Sequence, residues 1–556
     1  MLSKYRNLFR DWEKLAFYTV VIVFTLQFSL NETLITYDGP SHVYNAGIIK
    51  EKIFSGNSFY DIFQFNSTPN WSTHFILALF QVFLSPDFAE RLFLFILIVL
   101  FAFSFRNLIL SWFPRAWHMA WLSALFAFNF LFYFGFYNFI FGIIIGFILL
   151  KKREKLNNGK VLLVLYYSAL WFILAYTHAF VFLLIMGISF WEFTLILCRW
   201  KFKFLNHSET FEDRSVGFSR VPEIHISLIK FLTAALPSVV ILFYLLKPLD
   251  NRGFVFLSGA EIFDLFKYIR PLVVFNSEIE GKRLFPVFIL IIGLSLFFLI
   301  RNAYFKRKER SLFKQESFNL LFWLPVFSGS LFLAFRVPDS DGYVGFVSLR
   351  MVFIVFIFGS LLISIIRFPV WAKLTLVCFL TYSTSKLQNY RTTQLNYLES
   401  YVKSLKEAGK LINKESYTLL YTLENHWFLR HAGMIAFHDN LSVSLDNYEA
   451  EYPLFPISWR NSKLPDLRVG EVHSGELNCF KWESNKEGPD KIVDYVLLFG
   501  HEDQIQDLCE MEMWQNIKQY YTLVYEDDHV VLMALRRESA LIGLDEEGEE
   551  WSFIPY

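Results

Sequence analysis

The sequence predicts a polytopic α-helical membrane domain of about eleven transmembrane helices followed by a C-terminal extracytoplasmic α/β domain, and three observations lead there. First, 54% of the 556 residues are hydrophobic and 66 are phenylalanine, more apolar side chain than one soluble core can bury. Second, the formal net charge of zero hides an uneven split. Residues 386–556 hold 16 of the 52 Lys and Arg but 29 of the 52 Asp and Glu, which leaves 36 against 23 for residues 1–385. A basic apolar part followed by an acidic one reads as a membrane domain over 1–385, including an outer loop at 36–88, and a soluble domain over 386–556. Third, apolar runs recur at the length a bilayer demands, about 20 residues for a hydrocarbon core of ~30 Å. Nothing in this balance suggests a nucleic-acid partner.

The first run follows "MLSKYRNLFRDWEK" with no small-residue cleavage site behind it, so it reads as a retained helix rather than a removed signal peptide. Measured on the bilayer ruler, the spans fall at about 16–35, 89–109, 117–134, 137–150, 161–177, 179–198, 226–246, 285–300, 318–335, 350–366 and 369–385. The run "STHFILALFQVFL" at 72–84 is apolar but short, and loop charge arbitrates. If it does not cross, the basic N-terminus, "KKREKLNNGK" (151–160), the segment 201–220 and "RNAYFKRKER" (301–310) all face the cytoplasm, as the positive-inside rule requires. Residues 72–84 therefore read as a helix at the outer interface. The N-terminus is then cytoplasmic and the acidic C-terminal region emerges outside.

This topology gathers polar residues on the outer face: Asp38 and His42 after the first span, Asn138 in "FGFYN", His178 in "YTH", and Arg336 and Arg350 around "RVPDSDGYVGFVSLR". Ionisable groups at membrane depth are costly unless they face water or a partner, so their convergence marks a candidate site.

A long first outer loop with an acid just past span one, a short helix after "NW" (70–71), and "SPDFAERLFLFILIVL" entering the second span resemble the GT-C superfamily of polytopic glycosyltransferases. So does the plan of about eleven spans with an external C-terminal domain. The resemblance implies a multi-pass enzyme of a bacterial inner membrane. It would take sugar from a polyprenyl-phosphate carrier and transfer it to a glycan, lipid or protein acceptor in cell-envelope glycan assembly, with the loop acid as base. Many members carry paired acids in that loop. Here Asp38 is followed by Gly39 and Pro40, so the resemblance leaves a divalent metal possible but assigns it no ligands. A divalent metal also lacks a ligand motif of its own, because no second His or acid follows His42 or His178 at helical spacing.

Asp38 can take the proton an acceptor hydroxyl or amine loses as it attacks the anomeric carbon. It can equally cap the helix that "DGP" announces. That helix, with Val43, Ala46, Ile49 and Ile53 on one face, should lie amphipathically along the interface with His42 and Asn45 on a neighbouring face, where His42 is expected to join the catalytic site by orienting the acceptor or hydrogen-bonding Asp38. Arg336 and Arg350 suit bidentate binding of a donor phosphate, and Lys282 and Arg283 share that reading; the alternative for all four is snorkelling at span ends. Asn138 and His178 are candidate substrate contacts. Asp339 and Asp341 read as an ordinary turn.

In the C-terminal region "SYTLLYTL" (416–423), "KIVDYVLLFG" (491–500) and "YYTLVYEDDHVVLMALRR" (520–537) read as strands, with a helix at 502–519 and a connecting helix at 386–412. The aromatic "DNYEAEYPLFPISWRN" (446–461) reads as a structural loop that could also touch saccharide. Cys479 and Cys509, both placed outside, are expected to form a disulfide. A transporter or flippase of a lipid-linked glycan is the main alternative. It should place binding groups and matched broken helices near the midplane, whereas the polar residues here gather at the outer ends. A non-catalytic envelope assembly protein is a further alternative.

Overall fold

The computed structural model describes residues 2–31, 34–151, 160–206, 221–234, 237–239, 253–305, 313–340, 342, 345–452, 454–460, 493–505 and 508–536. They fall into two compact units. One comprises Met1–Asn31, Pro69–Thr73 and Leu92–Gln394; the other comprises Glu32–Thr68, His74–Arg91 and Leu395–Tyr556. The helices that position the features below are α1 (Leu2–Ser29), α2 (Gly39–Lys50), α3 (Trp71–Gln81), α4 (Pro86–Trp112), α5 (Tyr137–Leu150), α6 (Lys160–Thr177), α7 (Ala179–Asn206), α8 (Ser277–Phe305), α9 (Phe313–Ala334), α10 (Val347–Ile363), α11 (Val370–Asn396), α12 (Glu399–Gly409), α13 (Tyr448–Glu451) and α14 (Leu508–Tyr520).

The stretches Pro86–Trp112, Ala179–Cys198, Ser277–Asn302 and Ser317–Ala334 are long and apolar enough to cross a membrane, and shorter apolar helices occupy Tyr137–Leu150, Val161–Thr177 and Val347–Ile363. The chain is thus a polytopic helical protein. Residues 117–134, expected as one span, form instead a 3-10 turn (Trp117–Trp121) and two short helices, Leu122–Phe126 and Phe130–Tyr133. Asn129 makes the break, since its Oδ1 accepts from Phe132 N–H at 2.9 Å while its Nδ2 donates to the Phe126 carbonyl at 2.7 Å. Its side chain competes with the helical ladder from a fully buried position. Helix α3 has 11 residues, roughly 16 Å of rise, too short to cross.

Close helix packing follows from small residues. On α5, Gly142 and Gly146 form a Gly-x-x-x-Gly face, and a Cβ on Gly146 would lie 2.8 Å from Ile185 Cδ1 on α7. Such faces let backbones approach where apolar burial gives no drive for association. Buried ion pairs join helices. Arg106 holds Glu13 in a fork at 2.8 and 2.7 Å, and Trp121 Nε1 donates to the same carboxylate at 3.0 Å. Arg391 donates to Glu280 Oε2 from Nε at 3.0 Å and from Nη2 at 2.6 Å, and to the carbonyls of Phe128 and Leu272 at 2.5 and 2.6 Å. Glu280 in turn accepts from the N–H groups of Val274 and Phe275 at 3.1 and 2.7 Å.

The second unit is built on a five-stranded sheet in the order β3-β2-β5-β7-β6, with β2 (Tyr417–Thr422), β3 (Val443–Ser444), β5 (Tyr495–Phe499), β6 (Tyr521–Glu526) and β7 (Val530–Leu535). Strands β3, β2 and β5 run parallel, while β5 with β7 and β7 with β6 pair antiparallel. The run 520–537, expected as one strand, is a hairpin. Asp527 Oδ1 accepts from the N–H groups of His529 and Val530 at 2.9 and 3.0 Å and closes its turn. Strand β1 (Phe63–Phe65) pairs antiparallel with β4 (Ile457–Trp459), stacking Phe63 on Trp459. Cys479 lies outside the described residues, so the expected disulfide does as well.

Helix α2 departs from the expected amphipathic, interface-lying helix. It is buried from Gly39 to Ile49 and continues into a π turn, Glu51–Ser55, where Ile53 is exposed. The physical reason is its partners. Tyr44 donates to the Ser442 carbonyl at 2.9 Å, Gln81 Nε2 donates to the Val43 carbonyl at 2.9 Å, and the Pro40 carbonyl sits 3.0 Å from His438 Nε2. Gly47 leaves room for Leu441, whose Cδ2 would lie 2.6 Å from a Cβ there. Polar positions that look like a solvent face in sequence are satisfied by chain nearly four hundred residues away.

Candidate active site

Asp38 occupies the N-cap of α2, with Pro40 in the first turn, as the sequence suggests. Its backbone, at φ −95° and ψ −9°, is in the right-handed helical region, and its side chain makes no capping bond. A capping acid normally needs an extended backbone to turn its oxygen onto the N2 or N3 amide. The Asp38 carboxylate is committed elsewhere: Tyr448 Oη donates to Oδ1 at 2.9 Å, and His431 Nε2 lies 3.5 Å from the same oxygen.

These partners come from the 427–455 stretch, which supplies aromatic walls. The Tyr448 ring stacks on His431 with centroids 4.3 Å apart; Tyr37 meets His431 edge-on at 4.8 Å and lies parallel to Trp427 at 6.0 Å. Trp427 is exposed at the edge of this wall, while His431 and Tyr448 are buried. Burial, reinforced by the Asp38 and Glu449 carboxylates, pushes the Tyr448 phenol well above its ordinary range, so it stays protonated and donates to Asp38. Burial and the Asp38 charge also push Tyr37 up to about 12, against the opposing pull of Arg430, which hydrogen-bonds its phenol. Arg430 is an exposed guanidinium beside that wall.

His42 turns to Glu449, its Nδ1 lying 2.6 Å from Oε1. His74 Nε2 sits 2.8 Å from Oε2 of the same carboxylate, and Asn45 Nδ2 donates to that oxygen at 2.7 Å. Asn45 and Asn447 exchange side-chain hydrogen bonds at 3.2 and 2.7 Å. His74 and Glu449 are fully buried. Burial alone would raise the Glu449 pKa, but the two imidazoles outweigh it and hold the carboxyl at about 2. The one-turn helix α13 thus presents consecutive residues to two places, Tyr448 to Asp38 and Glu449 to the histidines.

The other candidates lie in the helical unit. Arg350, in the first turn of α10 and largely buried, places its guanidinium 4.1 Å from the Phe136 ring centroid and 5.8 Å from that of Phe139. Arg336, just past α9, lies 5.7 Å from the Phe332 ring. Lys282 pairs with Glu278 at 2.6 Å on the exposed face of α8, and Arg283 donates to the Lys386 carbonyl at 2.8 Å. Asn138 clasps the 70–73 segment, accepting from Thr73 N–H and Oγ1 at 3.0 and 2.6 Å and donating to the Asn70 carbonyl at 2.9 Å. His178 sits at the break between α6 and α7, where its Nδ1 accepts from Val181 N–H at 3.5 Å and its ring meets Phe139. Asp339 Oδ1 caps α10 through Ser348 N–H at 2.9 Å.

Sequence reading missed Tyr448, Glu449, His431 and His74. The signal available was the density of aromatic and ionisable residues in 426–455, together with His42 and Asn45 one helical turn apart on α2. Neither names the partner, because hydrogen bonds across 375 to 410 positions leave no local spacing.

No family model matches the chain, and no curated protein matches it. Among solved structures, the chain is similar to the crystal structure of ArnT from Cupriavidus metallidurans bound to undecaprenyl phosphate, with 12% identity and a TM-score of 0.37 over 94% of this chain and 98% of that one.

Proposed function

We propose that the protein is a membrane glycosyltransferase that transfers a sugar from a lipid-phosphate-linked donor to an acceptor on the outer side of the membrane, in cell-envelope glycan assembly. The observation that carries this reading is the Asp38 carboxylate, which stands at a helix start without capping it and is held by Tyr448 and His431 beside an aromatic wall that ends on the exposed Trp427. In the reaction, an acceptor hydroxyl or amine attacks the anomeric carbon and passes its proton to Asp38. The bond from that carbon to the phosphate oxygen breaks, and its electron pair leaves with the lipid phosphate. One carboxylate suffices for such a single displacement, which inverts the anomeric centre. Tyr37 and Trp427 offer flat apolar faces with polar rims, suited to a saccharide ring.

The donor's phosphate is assigned to Arg336 and Arg350, with Lys282 and Arg283 as further cations, because guanidinium groups bind phosphate oxygens bidentately. The topology belonging to this proposal has a cytoplasmic N-terminus, eleven spans and the 386–556 domain outside, in a bacterial inner membrane.

The test is reconstitution of the full chain in liposomes with a panel of radiolabelled polyprenyl-phosphate sugars and envelope lipid acceptors. The proposal expects donor consumption with release of polyprenyl phosphate and a labelled product. Translocation of the lipid-linked sugar without consumption would favour the transporter reading instead.

A further inference from the structure

We infer that His42, His74 and Glu449 form a binding site for a divalent transition metal, zinc being the best fit to the donor set. The three residues come from α2, α3 and α13, and each offers one ligand atom, all within 4.8 Å of one another and all buried. Two imidazoles and one carboxylate make a three-protein-ligand zinc set that leaves a fourth position open. Bonds of about 2.0–2.1 Å place neighbouring ligands of a tetrahedral ion roughly 3.3–3.5 Å apart. The Glu449 contacts to His42 and His74, 2.6 and 2.8 Å, are made by different carboxylate oxygens, so side-chain shifts of about 1 Å would bring one oxygen and both imidazole nitrogens, now within 4.8 Å of one another, to that spacing around the ion.

The surroundings match a metal centre as well. Asn45 donates to Glu449 Oε2 and is itself held by Asn447, an outer shell that fixes the carboxylate's orientation as such shells do at metal sites. The two imidazole rings stand nearly perpendicular, 83° apart, and the Phe455 ring flanks both. A divalent cation held there would also offset the hydration that a carboxylate at zero exposure gives up.

The metal's role is positional. It would tie α2 and α3 to α13, and so fix Tyr448, the neighbour of Glu449, where it meets Asp38. Metal binding does not depend on the proposed activity and is tested without it.

The experiment uses the full-length protein purified in detergent without chelator. Its metal content is measured by elemental analysis, then again after chelation and titration with Zn²⁺, with the thermal unfolding midpoint followed throughout. The expected results are about one zinc per chain and a midpoint that falls on chelation and returns with Zn²⁺. His74→Ala and Glu449→Gln should each lose the stoichiometric zinc, and Asn45→Ala should weaken binding by about 10- to 100-fold. Cobalt in place of zinc should give the visible absorption of a tetrahedral site. The inference is overturned if the wild-type protein binds no zinc and its midpoint ignores both chelator and Zn²⁺, or if the folded variants bind zinc as wild type does. Where a variant fails to fold, the wild-type titration and cobalt spectrum decide alone.

Discussion

Removing the guanidinium of Arg391 should destabilise the helical unit more than most single changes. The side chains of Arg391 and Glu280 are 1% and 0% exposed, so neither recovers water contacts when the other is lost. In Arg391→Ala, Glu280 keeps its backbone donors from Val274 and Phe275 but loses its counter-charge, and the carbonyls of Phe128 and Leu272 lose their donor. Breaking a buried pair from one side costs about 3–5 kcal/mol. At ~1 °C per kcal/mol for a chain of this size, that is a fall of roughly 3–5 °C in the unfolding midpoint. Arg391→Lys should recover only part, because an ammonium cannot span the carboxylate and two carbonyls at once. Glu280→Gln should cost less than Arg391→Ala, since the amide oxygen still accepts from the 274–276 backbone. The assay is thermal unfolding of purified variants in one detergent, read by intrinsic fluorescence. An Arg391→Ala midpoint within about 1 °C of wild type would refute the reasoning, because it would mean the buried charge finds another partner without loss.

Tyr448→Phe keeps the ring stacked on His431 and removes only the hydroxyl on Asp38. It should lower kcat by about 10-fold and stability by about 1.5–3 kcal/mol, the worth of a hydrogen bond to a charged group, as steady-state kinetics and thermal unfolding would show. If Arg336 and Arg350 hold the donor phosphate as proposed, Arg336→Lys and Arg350→Lys should each lose a bidentate contact worth about 1.5–3 kcal/mol and weaken donor binding by about 10-fold or more. Unchanged affinity in both variants would place the phosphate elsewhere. Reporter fusions after residue 386 should be active only outside the cytoplasm; cytoplasmic activity would reverse the proposed topology.

What was legible in the sequence is what rests on local pattern. Apolar runs marked the long apolar helices at Pro86–Trp112, Ala179–Cys198, Ser277–Asn302 and Ser317–Ala334, because solvation by lipid acts on consecutive residues, and β2, β5 and α14 follow from hydrophobic periodicity over a few positions. Asp38 was legible as a helix start because "DGP" is a local signal. The rest depends on distant chain. The break at Asn129 hides within an apolar run because a single amide decides it. Helix α2 reads as amphipathic until Tyr44 and Asn45 meet residues 442–449. The competition at Asp38 between capping and another use is decided by Tyr448, whose hydroxyl is 410 positions away. The absence of any metal spacing around His42 has the same origin, since the three donors lie on separate elements.

The central claim is that Asp38 takes the acceptor's proton, and the most direct measurement is the initial rate of sugar transfer by Asp38→Asn per folded molecule. Asparagine preserves size and an oxygen that can accept from Tyr448, so its folding should differ little from wild type in the unfolding midpoint. Losing a general base should slow transfer by about 10² to 10⁴-fold, with the donor still bound. A folded Asp38→Asn protein that transfers sugar at close to the wild-type rate would contradict the account.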